Sequence, residues 1–294
     1  MQLAFATFPA TGRIALGSYS PYAMSFWRVT GAAVFFSAFL LVREGRVPLP
    51  ERGTRWKVLW LSLLGISLNQ MLFLVGLSLS SAVRGGLFVM FIPILTTAWA
   101  VLRKAEALNT RKAAGVLLAA IGILVLTGVD LVRGLGTGDL FFLLNGACYS
   151  IYLVEARPLL RRYSSLYMVT WVFLAALPVM AIIPLCGVKL VPAEAGAAGH
   201  SAMLWIILGP TIWSYLGNII ALRHLPASAT AIAICAQPLI AALLAVLLLG
   251  EKVHWREGVT FVLVVAGIWL AMMPKRHGRT AKSVADAEEP MARR

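Results

Sequence analysis

Long uncharged apolar runs, separated by short charged clusters, recur along this whole chain. Crossing a ~30 Å hydrocarbon layer as α-helix takes about 20 such residues. Lipid offers the backbone no hydrogen bonds, so each run must satisfy its own peptide groups as helix. The runs give ten spans, at approximately 2–17, 22–42, 58–77, 82–102, 112–129, 139–157, 166–186, 202–222, 228–250 and 257–273. Only 13% of residues are charged and 60% are hydrophobic, whereas soluble domains carry about 25% charge. The expectation is an all-α membrane protein that has the lipid bilayer as its surroundings. Span one is short and contains Arg13; a short helix and a start upstream of Met1 both stay open.

The net charge of +14 does not point to nucleic acid, because the basic residues are dispersed among short loops. Most flank alternate loops: Arg43, Arg46, Arg52, Arg55 and Lys57 after span two; Arg103, Lys104, Arg111 and Lys112 after span four; Arg157, Arg161 and Arg162 after span six; Lys275, Arg276 and Arg279 after span ten. The positive-inside rule places those loops and both termini in the cytoplasm. Residues 275–294 are polar with mixed charge and read as a disordered cytoplasmic tail. Cys148, Cys186 and Cys235 all lie in apolar runs, as small buried hydrophobes do. No CxxC, HExxH or His/Cys cluster occurs, so no metal, cofactor or catalytic residue is expected.

Shifting the sequence by 145 residues lays Pro93 on Pro238, Glu106 on Glu251, Arg111 on Arg256 and Gly122-Ile123 on Gly267-Ile268. Leu63, Leu77 and Ala82 fall on Leu208, Leu222 and Ala227. The chain is therefore expected to be two repeats, 1–129 and 138–274, of five spans each. Five is odd, so the second copy is inverted, the arrangement of many secondary transporters.

The residues that recur are small residues, a mid-helix proline, Leu-Gly-Glu, then Gly and Gly-Ile. Here they are Leu225-Pro-Ala-Ser228, Pro238, Leu249-Gly-Glu251, Gly258 and Gly267-Ile268, with Ser81-Ala82, Pro93, Glu106, Gly115 and Gly122-Ile123 in the first copy. Ser20-Pro21 followed by Arg28 fits the same pattern. The chain resembles the EamA-type ten-helix branch of the drug/metabolite transporter superfamily over nearly its whole length. It departs at Arg103-Lys104-Ala105-Glu106, where Leu-Gly-Glu is expected. The resemblance implies a metabolite transporter of the bacterial cytoplasmic (inner) membrane, monomeric or homodimeric. It also implies a central cavity lined by spans one, three, four, six, eight and nine.

Polar residues inside spans face the protein interior, because lipid cannot satisfy them. Asn145, Tyr149 and Tyr152 share one face of span six. Thr211, Tyr215 and Asn218 share one face of span eight, and Thr230 and Gln237 one face of span nine. Asn69 and Gln70 are neighbours in span three and, on a regular helix, point in different directions, so one of them is open to a packing role. These residues, with Arg84, Phe88 and Trp213, are the candidates for a substrate cavity. Interhelical bonding competes with that role for the polar stripes, and packing or lipid contact competes with it for Phe88 and Trp213. For Arg13, Arg28 and Arg84 the simpler role is snorkelling or a structural hydrogen bond.

No carboxylate reaches mid-membrane; Glu155 is the deepest, one turn from Arg157 as a prospective partner. A pump of cationic drugs ordinarily needs such an acid. The expected substrate is a small neutral, zwitterionic or anionic solute, amino-acid-like, exported by alternating access. The alternative is a multidrug or lipid-linked substrate exporter of the same fold. Pro93 and Pro238 lie deep in their spans and are hinge candidates, each freeing the carbonyl four residues back.

Overall fold

The computed structural model describes residues 2–105, 107, 110–127, 136–192, 196–225 and 237–272, and all of their secondary structure is helical. The expectations for Thr230, Glu106, Cys235 and the 275–294 tail lie outside the described residues. Among the described residues ten helical segments follow one another. They are α1 (2–16), α2 (Pro21–Glu44), α3 (Arg52–Leu79), α4 (Ala82–Leu102) and α5 (Thr110–Thr127); then α6 (Thr137–Leu160), α7 (Ser165–Leu185), α8 (Ala197–His224), α9 (described over Gln237–Leu249) and α10 (Trp255–Met272). Of these, α2, α3, α4, α6, α7 and α8 are long and apolar enough to cross a membrane. Most described ends fall within three residues of the sequence expectation, because charged loops mark them directly; α3 begins earlier, at Arg52, as does α8, at Ala197, and the expected start of span nine lies outside the described residues.

Local chemistry sets the helix ends. Ser20 and Ser81 cap α2 and α4, their hydroxyls accepting from Ala23 N and Arg84 N at 3.1 Å. Gly250 closes α9 with φ +65°, a left-handed conformation that glycine adopts at little cost. That turn delivers Glu251 to the start of α4. Its two carboxylate oxygens accept from Ala82 N and Val83 N, both at 2.9 Å. The acid of the Leu-Gly-Glu pattern is thus an N-cap supplied from the other half of the chain, where helix N-termini favour negative charge.

The outside of the bundle is apolar. Val34, Phe35, Phe39 and Val42 of α2 and Val259, Val262 and Trp269 of α10 are exposed. Buried instead are polar groups such as Ser25, Arg28, Asn69, Gln70, Asn145, Ser150, Thr170 and Asn218. This inverts the soluble pattern and suits lipid. Among the described residues the most extensive helix–helix contact joins the equivalent helices α5 and α10. There Thr260 Oγ1 donates to the Gly122 carbonyl at 3.0 Å.

Two irregularities were not legible in the sequence. Leu63–Leu68 in α3 and Ile207–Trp213 in α8 wind as π-helix. The 145-residue shift lays Leu63–Leu68 on Leu208–Trp213, so the two wide turns are repeat-equivalent. In α8, Pro210 lacks an N–H, while Thr211 Oγ1 and Ser214 Oγ each donate to the carbonyl five residues back, at 2.8 and 3.0 Å. α4 breaks at Met90–Phe91 and resumes at Ile92 with Pro93 in its first turn.

Candidate functional site

Seven helices, α1, α2, α3, α4, α6, α8 and α9, surround a cavity of about 70 Å³. α1 and α3 supply Phe5, Phe8, Phe73, Asn69 and Gln70; α4 supplies Val89; α6 supplies Asn145 and Tyr149; α8 supplies Tyr215 and Asn218; α9 supplies Gln237. Arg28 of α2 completes it.

Asn69 and Gln70 follow the α3 π-turn directly, and both line the cavity wall. Their repeat equivalents, Ser214 and Tyr215, follow the α8 π-turn in the same way.

Hydrogen bonds tie the polar wall together across the two halves. Tyr215 Oη donates to Asn69 Oδ1 at 3.1 Å. Asn145 Nδ2 donates to the Asn69 carbonyl at 2.6 Å, and Asn218 Nδ2 donates to Tyr149 Oη at 2.7 Å. Gln237 Nε2 donates to Gln2 Oε1. Buried polar groups joined this way define a single arrangement. Gln70 differs: it is 1% exposed, and neither its Oε1 nor its Nε2 has a partner.

Arg28 is the cation of the wall. It is 2% exposed, its Nε donates to Thr211 Oγ1 at 2.9 Å, and its guanidinium carbon lies 4.0 Å from the Phe8 ring centroid. Its Nη1 is buried without a partner. No carboxylate lines the cavity among the described residues.

Other sequence candidates lie elsewhere. Arg84 pairs with Asp139 at 2.7 Å, joining α4 to α6 at the end of the bundle where α3 meets α4. Phe88 packs in the core against Phe91 and Phe142, with both centroids at 5.7 Å. Tyr152 stacks on Tyr149 behind the cavity wall. Thr211 is fully buried and reaches the cavity through Arg28. Trp213 is 67% exposed and lines an apolar groove on the outside, with Leu3, Thr7 and Trp205. Arg13 donates to the Leu77 and Ser80 carbonyls at 2.5 and 3.0 Å, capping the end of α3. Glu155 pairs with Arg103 at 2.7 Å and not with Arg157, because a neighbouring helix brings the Arg103 fork closer.

The aromatic wall of Phe5, Phe8 and Phe73 was not anticipated. Its signal was present as Phe5 and Phe8 in the span that contains Arg13, and Phe73 in the span that contains Asn69 and Gln70, but apolar residues carry no orientation by themselves.

The comparisons fit this architecture. A crystal structure of another protein superposes with a TM-score of 0.71, covering 94% of this chain and 95% of that one at 19% identity, a likeness of fold. The uncharacterized transporter YyaM of Bacillus subtilis (strain 168) is 24% identical over 286 residues, covering 92% of each chain. The EamA-like transporter family matches twice, over residues 1–128 and 136–273. With both halves matched and ten helical segments among the described residues, the chain belongs to the EamA-like transporter family and is a multi-pass membrane transporter of small molecules.

Proposed function

We propose that this protein exports small neutral, zwitterionic or anionic metabolites, amino-acid-like in size and polarity, across the bacterial cytoplasmic membrane. The observation that carries this is the chemistry of the cavity wall. It presents five amide side chains, two phenols and one guanidinium, and no carboxylate among the described residues. Amides and phenols exchange hydrogen bonds with a polar solute that has left water. A lone guanidinium repels cations and attracts anions. A cationic drug would meet no compensating charge there.

Transport follows by alternating access, with the two repeats rocking around the cavity. The loop charges put both termini in the cytoplasm and the α3–α4 turn outside. On that assignment the Glu251, Arg84–Asp139 and Arg13 contacts together hold the outer end shut. Pro93 and Pro238 are the bending points, and Pro93 leaves the Val89 carbonyl on the cavity wall without its helical donor.

Flux from proteoliposomes decides the matter. The purified protein is expected to move radiolabelled amino acids and not lipophilic cations. Movement of lipophilic cations without amino-acid flux would reject the proposal.

A further inference from the structure

A buried guanidinium is costly unless its charge and its donors are matched. Arg28 is matched only in part. Thr211 takes one donor and Phe8 offers its ring face, worth roughly a kcal/mol or two when desolvated. Nη1 is left without an acceptor, and no acid among the described residues pairs with the side chain. Gln70 lines the same cavity with both amide atoms unpartnered. Two polar side chains with unpartnered atoms, both almost wholly buried, therefore share one small chamber. Lipid cannot satisfy those atoms.

We infer that Arg28 is the anion anchor of this cavity, taking the carboxylate of a monocarboxylate or α-amino acid, with Gln70 as the second polar contact. The inference rests on the cavity being the transport site. The guanidinium fork matches a carboxylate in plane and in spacing, and charge-assisted bonds of this kind are the strong ones. One fixed cation neutralises one negative charge, so a monoanion suits the chamber better than a phosphate dianion. The Phe8 and Phe73 rings beside it suit an apolar body behind the carboxylate. Thr211 holds the guanidinium in position from the α8 π-turn, so the anchor is tied to a segment that is already irregular.

The test is a thermal-shift assay on the purified full-length protein. The probes are the twenty L-amino acids and the straight-chain monocarboxylates of two to six carbons, each set against its primary amide. A ligand at free concentration c that binds the folded state stabilises it by RT ln(1 + c/Kd), so at one concentration the tighter ligand gives the larger rise in melting temperature. At least one acid is expected to stabilise the protein, and its amide to bind about tenfold more weakly or worse. Arg28→Gln is expected to erase the difference between acid and amide, and Arg28→Lys to keep part of it, having the charge without the fork. The wild-type comparison of acid with amide needs no variant, so a folding defect in Arg28→Gln leaves the test intact. Amides that bind as well as acids, no stabilisation by any acid of the panel, or a folded Arg28→Gln that still prefers acids would each overturn the inference. Proteoliposome flux keeps this separate from the broader proposal: amino acids and their amides carried equally well would remove the anchor and leave the transporter.

Discussion

Thr211 Oγ1 accepts from Arg28 Nε at 2.9 Å and donates to the Ile206 carbonyl at 2.8 Å, so one hydroxyl serves both the cavity cation and the π-turn of α8. Thr211→Val keeps the shape and removes both bonds. An unsatisfied buried group costs about 1–3 kcal/mol. Thr211→Val is therefore expected to melt several degrees lower and to lose ligand stabilisation as well. Thr211→Ser should restore most of both. A valine variant with unchanged melting and unchanged ligand shifts would show that the hydroxyl positions nothing.

The Arg84–Asp139 pair is lopsided, with side-chain exposures of 28% and 1%. Removing the arginine leaves a buried acid without its countercharge, while removing the acid leaves an arginine that still touches solvent. Breaking a buried pair from one side typically costs about 3–5 kcal/mol, and the exposed partner reduces that. Arg84→Gln is expected to destabilise more than Asp139→Asn. The double variant should recover part of the loss, because no unpaired charge remains. Thermal melts of the three proteins check the order. Equal losses in both single variants would mean that Gly136 N and Ser80 Oγ, which already bond Asp139, carry the site without Arg84.

Gly65 sits inside the α3 π-turn with the Tyr152 ring packed on it. A β-carbon there would lie 2.2 Å from the ring. Gly65→Ala must push Tyr152 off its stack with Tyr149 or straighten the π-turn. Overpacking of this kind costs about 1–3 kcal/mol. The expected result is a lower melting temperature and weaker ligand binding, partly repaired by adding Tyr152→Leu. Wild-type melting in Gly65→Ala would mean that the ring moves freely.

The ten helices were legible because charge clusters punctuate the apolar runs. The repeat was legible because Pro93 and Pro238 share one offset with Glu106 and Glu251. Polar residues inside spans located the wall: Asn69, Gln70, Asn145, Tyr149, Tyr215, Asn218 and Gln237 all reach the cavity. The pattern could not sort ion pairs from ligand contacts. Arg84 and Arg28 look alike as lone cations near one end of a span, and only Asp139, 55 residues further on, separates them. The π-turns were invisible because Leu63–Leu68 has an ordinary helical composition; the long-range contact of Gly65 with Tyr152 is absent from any local window.

Glu251 caps the start of α4 through two backbone N–H groups. Glu251→Ala removes both bonds and is expected to cost about 1 kcal/mol, the usual value of an N-cap. Glu251→Gln keeps one acceptor and loses the favourable charge at the helix N-terminus. Hydrogen exchange at the amides of Ala82 and Val83 should rise strongly in the alanine variant and moderately in the glutamine variant. Unaltered exchange in the alanine variant would remove this contact from the proposed outer closure.

Pro93 has no N–H, so the Val89 carbonyl, on the cavity wall, lacks its usual helical donor. The chain around it is already adapted. Met90 N and Phe91 N turn back to Leu87 and Phe88, and Ser150 Oγ of α6 donates to the Ile92 carbonyl at 3.1 Å. Pro93→Ala returns a donor to Val89 and lets α4 run on as a regular helix. Relief of an interior proline is worth up to about 3 kcal/mol where the surroundings permit it. The variant is therefore expected to fold with equal or higher thermal stability. If the break is the bend by which α4 opens and closes the cavity, flux must fall while ligand affinity holds, because straightening α4 alters the motion and not the wall. Pro238→Ala tests the equivalent position in the second repeat. Full transport rates in both variants would show that the prolines shape the resting bundle and take no part in its movement.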